Sequence, residues 1–259
     1  MPLPSILLVH GPATGAWLWE TWRRELTGSG WQVIVLDLRG HGLSTPADLA
    51  SITMQDYLAD VTFVASQVEA SQGAHPVLGG WSTGALIAMM YAAQHATPPA
   101  LLLMSPSQPL EVAGRAPIDV VRQASGETLG PDVFGVYPGD PVATRAAQPD
   151  LTDGEVTRLL QRIAGERESG IAYRQVLRGI SVAAGSVRCP SLILHTSEEA
   201  EHAALLKAHL QAETLVVPGA GRWGIVCHDP AVAEAAVGVD AWLRRSIGDQ
   251  VHPEGEEES

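Results

Sequence analysis

Gly80-Trp81-Ser82-Thr83-Gly84 decides how the rest of the chain is read. Ahead of it, His75-Pro76-Val77-Leu78-Gly79 is a short apolar run that reads as a buried strand. Behind it, Ala85 to Gln94 is a strong helix former with no breaker. A strand, Gly-x-Ser-x-Gly and a helix in that order predict a nucleophile elbow, a turn that lifts a serine hydroxyl above a sheet edge. So tight a turn needs glycines, because neighbours with a Cβ collide.

Working outward, the flanks repeat the same alternation. Ser5-Ile6-Leu7-Leu8-Val9 is an apolar strand ending in His10-Gly11. Trp17, Leu18, Trp22 and Leu26 recur at helical spacing until Gly28-Ser29-Gly30. Trp31 to Leu38 reads as a second strand, and Thr53 to Ser71 as an amphipathic helix with a Thr53–Asp56 capping box. Ala100 to Met104 is the strand after the elbow helix. Between Ser105 and Val187 the rhythm lapses: prolines and glycines accumulate, no strong strand signal appears, and 152–166 and 170–177 read as short helices. It resumes with Leu192 to His195, a helix near 201–210, a strand over 214–217, and a last helix from Pro230 to about Ile247. The expected fold is α/β, a mainly parallel sheet of about six strands with helices on both faces. Residues 1–106 and 187–248 form its core, 107–186 a helical lid, and 249–259 a disordered acidic tail.

Composition narrows the class. Net charge is −13, partly from Glu254, Glu256, Glu257 and Glu258, which argues against nucleic acid or an anionic membrane as partner. The apolar runs are too short to span a bilayer, and no signal-peptide pattern opens the sequence. Cys189 and Cys227 are too few for a disulfide framework and fit a reducing cytoplasm. No cluster has metal-ligand spacing. Gly219-Ala220-Gly221-Arg222-Trp223-Gly224 matches a dinucleotide pattern, but it follows the last strand and does not directly open a helix. No cofactor is expected.

The chain resembles the α/β-hydrolase family, in particular its esterase and hydroxynitrile-lyase branches. Four segments carry the likeness: His10-Gly11 with Gly15-Ala16-Trp17-Leu18-Trp19, Asp37 to Ser44, the elbow, and Pro218 to Gly224. The resemblance implies a serine nucleophile, a histidine base, an orienting Asp or Glu, and two backbone N–H groups for the oxyanion. Ser82 stands at the nucleophile position, and Thr83 supplies one N–H. The second donor belongs to the residue after Gly11, which is Pro12 and has no N–H. Glu199 aligns with the acid position; it reads equally as a solvated helix start. The base position holds Arg222, which keeps its proton near neutral pH.

Of the histidines, His228 lies six residues past Arg222, His10 and His41 read as structural, and His202 is the least implausible surrogate base. Trp17, Trp81, Trp223 and Met104 are expected around the pocket mouth, suiting a large apolar ligand. A retained serine without its imidazole points to non-hydrolytic chemistry on a small, largely apolar carbonyl- or acid-containing metabolite: cyclisation, dehydration, isomerisation or a lyase step. Two alternatives stay open. One is a serine esterase, thioesterase or lactonase with a non-standard base; the other is a silent ligand-binding protein in which Arg222 merely pairs with Glu199.

Overall fold

A computed structural model describes residues 3–95 and 97–251. Six parallel strands make the central sheet in the order β2-β1-β3-β4-β7-β8. The first four are β1 (Ile6–Val9), β2 (Val33–Leu36), β3 (Val77–Trp81) and β4 (Leu101–Met104). Period-two alternation divides each strand between two cores. Ile6 and Leu8 join Trp22, Trp242 and Leu243 on one face, while Leu7 and Val9 join Leu58, Leu86 and Ile193 on the other. Strands apolar at every position are what a sheet covered on both faces requires.

Helices α1 (Glu20–Gly28), α2 (Met54–Gln72) and α3 (Thr83–Gln94) connect these strands. The Thr53–Asp56 capping box starts α2 as the sequence implied, and Gly73 ends it at φ 72°. β3 runs two residues past the expected Gly79, carrying the ladder up to Trp81.

The excursion after β4 holds α4 (Leu110–Ala113), α5 (Ile118–Gln123), β5 (Thr128–Leu129), α6 (Pro141–Ala147), α7 (Asp153–Ile163), β6 (Glu168–Ser169) and α8 (Gly170–Arg178). The antiparallel pair β5–β6 has no counterpart in the sequence reading. Two residues per strand are too few for an alternating pattern, and tertiary contacts form the pair. Glu168 Oε1 accepts from Tyr57 Oη at 2.8 Å, and Ser169 Oγ donates to the Ile52 carbonyl at 2.6 Å. Ser169 also caps α8 through a bond from the Ala172 N–H.

The core resumes with β7 (Ser191–His195), α9 (Ala200–Leu210), β8 (Glu213–Val216), α10 (Gly224–Cys227) and α11 (Asp229–Val251). The short α10 corrects one expectation: the Gly219-to-Gly224 segment does open directly into a helix. The sequence signal failed because Gly224 is a weak helix former and the turn lasts four residues. The α11 backbone stays helical through Val251, past the expected start of the tail at Asp249; residues 252–259 of that tail lie outside the described residues. No helix among the described residues is long and apolar enough to cross a membrane.

Candidate active site

Ser82 sits between β3 and α3 with φ 55° and ψ −117°. Such a backbone is costly for a residue with a side chain, and persists only where the surroundings hold it. The Ser82 N–H donates to the Met104 carbonyl at 3.0 Å, and the Ser107 N–H donates to the Ser82 carbonyl at 3.0 Å. A Cβ on Gly80 would lie 2.4 Å from the Gly84 carbonyl carbon, and one on Gly84 would lie 2.2 Å from the Val9 oxygen. The two glycines let β3, α3 and β1 close on one another. Positive φ also occurs at Ala13 and Ser105, so three of the four such non-glycine residues among those described flank this edge of the sheet.

Arg222 arrives from the loop after β8. Its Nη2 donates to Ser82 Oγ at 3.1 Å and to the Ser105 carbonyl at 3.3 Å. Its Nη1 lies 3.6 Å from Glu199 Oε1. The Arg222 carbonyl accepts from Trp81 Nε1 at 3.0 Å, and Asp150 accepts the Gly221 N–H at 2.7 Å, so the loop is held from the sheet and from the excursion. Glu199 ends a 3-10 turn capped by Thr196. Glu199 Oε2 accepts from Ser105 Oγ at 2.7 Å and from the Thr196 N–H at 3.2 Å. The carboxylate therefore serves both as a helix-start partner and as the acid facing Arg222.

A cavity of about 740 Å³ opens over this group. Ser82, Ser105, Glu199, Arg222 and Pro12 line its polar end; Val112, Val133, Phe134, Val176 and Leu177 line its apolar wall. Four of the expected site residues do not line it. Trp17 borders a separate cavity of about 280 Å³, its Nε1 donating to Glu166 Oε1 at 3.1 Å. It belongs to a 3-10 turn, Ala16–Trp19, whose tighter winding directs the indole to the excursion. Met104 is fully buried opposite Trp81 in the β3–β4 register, and Ser105, the next residue, lines the cavity instead. Gly11 lies against the Trp81 ring, where a Cβ would approach Cε3 to 2.3 Å. Thr83 is the first residue of α3 and contributes through its backbone position, its side chain being buried. Trp81 and Trp223 line the cavity as expected residues of the site; both are nearly buried, their rings 4.7 Å apart. Ser105 and Tyr173 were missed. Ser105 was legible as the residue that ends a central strand; nothing in the sequence marked Tyr173.

Among the described residues, no histidine nitrogen lies within hydrogen-bonding distance of Ser82 Oγ. His10 Nδ1–H donates to the Gly11 carbonyl at 2.9 Å while its Nε2 accepts from the Leu38 N–H at 3.0 Å. Burial, helped by His41 alongside, pushes the His10 pKa down to about 3, so the ring stays neutral. His195 Nδ1–H donates to the Thr196 carbonyl at 2.8 Å. His228 pairs with Glu155 at 3.1 Å. His202 lines the cavity, and its carbonyl accepts from Gln108 at 2.7 Å. No group among the described residues is arranged to hold a metal ion.

The model of the alpha/beta hydrolase family matches residues 6–239. A haloalkane dehalogenase of Mycobacterium marinum is 33% identical over 115 residues, which is 44% of this chain and 38% of that protein. The match thus spans about two fifths of the relative's length. Among solved structures, a thermophilic esterase from Thermogutta terrifontis is 21% identical with a TM-score of 0.65, covering 94% of this chain and 90% of that one. MenH from S. aureus is 16% identical with a TM-score of 0.68, covering 94% of each. At these identities the likeness is one of fold.

Proposed function

The chain belongs to the alpha/beta hydrolase family, and from that premise we propose that it acts by non-hydrolytic chemistry on a small, largely apolar metabolite with a carbonyl or carboxylate head. The observation that carries this reading is the 3.1 Å contact from Arg222 Nη2 to Ser82 Oγ. A guanidinium is never a proton acceptor near neutral pH, so the serine is not activated as a nucleophile. Its oxygen instead accepts from a cation, which leaves its own O–H free to donate.

Arg222, the Ser82 hydroxyl and the Thr83 N–H then make a fixed donor set for negative charge on a substrate oxygen, at the positive end of α3. An enolate or carboxylate fits that set, and cyclisation, dehydration, isomerisation or lyase steps pass through such charge. Glu199 holds the guanidinium in place from 3.6 Å. Residues 107–186 serve as the lid that excludes water, since several of the apolar lining residues come from this stretch.

Fluorophosphonate labelling of the purified protein tests the reading. Slow, substoichiometric modification of Ser82 is expected; rapid stoichiometric labelling reveals an activated nucleophile and sinks it. A second reading, ester or thioester cleavage, is favoured by the presence of His202 in the same cavity. It requires that His202→Ala abolish p-nitrophenyl ester turnover. A silent binding protein would bind such metabolites and convert none.

A further inference from the structure

Tyr173 stands on α8, on the same cavity as Ser82, Arg222 and Pro12. Phe134 holds its ring edge-on, with centroids 5.0 Å apart and planes at 88°. The Phe134 carbonyl accepts from Trp223 Nε1 at 2.9 Å, so the tyrosine is tied through one residue to the loop that carries Arg222. Tyr57 spends its hydroxyl on Glu168, whereas no hydrogen bond reaches the Tyr173 hydroxyl among the described residues. Nor is that hydroxyl a sealed orphan: among the described residues the buried side-chain atoms without a hydrogen bond are Trp19 Nε1, His41 Nε2 and His75 Nδ1. It is a donor without a hydrogen-bond partner among the described residues, on a half-buried side chain that lines the cavity.

The charge at the polar end is also unfinished. The carboxylate facing Arg222 lies 3.6 Å away, well beyond the roughly 2.7–2.9 Å of a charge-assisted bond. Nη2 reaches only the neutral oxygens of Ser82 and Ser105. Arg222 is the sole arginine or lysine of the lining and Glu199 its sole carboxylate, so a single guanidinium is the fixed cation available to an anionic head. Val176 and Leu177, on the same helix as Tyr173, add apolar lining to the cavity together with Val112 and Val133.

Resting on the donor-site reading above, we propose that the Tyr173 hydroxyl is a further hydrogen-bond donor to the substrate head, added from the excursion to the set of Arg222, Ser82 and Thr83, and that the substrate is a monocarboxylate with an extended apolar tail. The phenol supplies from the lid side the donor that Pro12 lacks on the strand side. Burial raises the Tyr173 pKa while Arg222 opposes it, and the net direction is upward, so the group keeps its proton.

Titration calorimetry with decanoate on the wild-type protein, Tyr173→Phe and Arg222→Gln tests this. Phenylalanine keeps the ring against Phe134, and thermal melts check that each variant is folded. Wild type is expected to bind, Tyr173→Phe to bind roughly tenfold more weakly, as for one lost bond to a charged group, and Arg222→Gln more weakly still. Unchanged affinity in Tyr173→Phe with a loss in Arg222→Gln overturns the tyrosine assignment and leaves the donor-site reading standing. Absence of wild-type binding, or Arg222→Gln binding as well as wild type, overturns both. Tighter binding of decyl phosphate than of decanoate overturns the monoanion assignment alone.

Discussion

The Arg222 guanidinium, carried on the loop after β8, donates to Ser82 Oγ at 3.1 Å, where a proton-accepting ring would activate the serine and a guanidinium does not. Geometry is retained while proton affinity is reversed. Arg222→His is therefore expected to create ester cleavage, because Glu199 already stands where it would orient the new ring. A rise of at least about tenfold in p-nitrophenyl acetate turnover is expected. Turnover in wild type that the substitution leaves unchanged would count against this account of the site.

Ser105 combines φ 38° with a 2.7 Å bond to Glu199. Ser105→Ala keeps the backbone cost and loses the bond, which on a partly exposed carboxylate comes to about 1 kcal/mol of stability. Ser105→Gly loses the same bond but relieves the left-handed backbone, recovering about 1 kcal/mol. Urea midpoints should therefore rank wild type close to Ser105→Gly and both above Ser105→Ala. The reverse ranking would mean that the conformation at this residue carries no strain.

Gly84 has the tightest approach at the elbow, and the neighbour is backbone that does not yield. Gly84→Ala is expected to cost about 3 kcal/mol or more, or to prevent folding. Gly28→Ala, where no atom lies within 4 Å of a new Cβ, should leave the melting temperature nearly unchanged.

His10 sets an acid limit. Its folded pKa of about 3 lies below the ordinary histidine value of about 6.5, so between those pH values the unfolded chain takes up a proton and the folded chain does not. Stability from this residue is complete above about pH 6.5 and declines as pH falls towards 3, by up to about 1.4 kcal/mol per unit. Melting temperatures of His10→Gln should start lower at neutral pH, having lost the bonds to Gly11 and Leu38, yet fall less steeply on acidification. Parallel pH profiles for the two proteins would assign the acid limit elsewhere.

Sequence reading recovered the sheet because its strands are short apolar runs of one kind, closed by glycine turns that no other arrangement explains. The elbow and the approach of Arg222 to Ser82 were legible for the same reason: both lie in loops whose spacing from a strand is fixed. Glu199 followed from its distance past β7. Trp17 and Met104 were misplaced because chain position says which end of a sheet a residue occupies, but not which way its side chain turns. Tyr173 escaped because the helix read over 170–177 carried no sign of what it lies against, and what ties the start of α8 to the core is the burial of Glu168 against Tyr57, a contact 111 residues long in the chain.

That contact has an engineering consequence. Glu168 and Ser169 reach down to α2 and to the Ile52 carbonyl just before it, so the roof over the serine is keyed to the foundation beneath. Transplanting the excursion into a relative whose α2 lacks the Tyr57 phenol would take from the buried Glu168 carboxyl one of its hydrogen-bond donors. Chimeras in this fold must therefore exchange the roof and its keyed helix as one module.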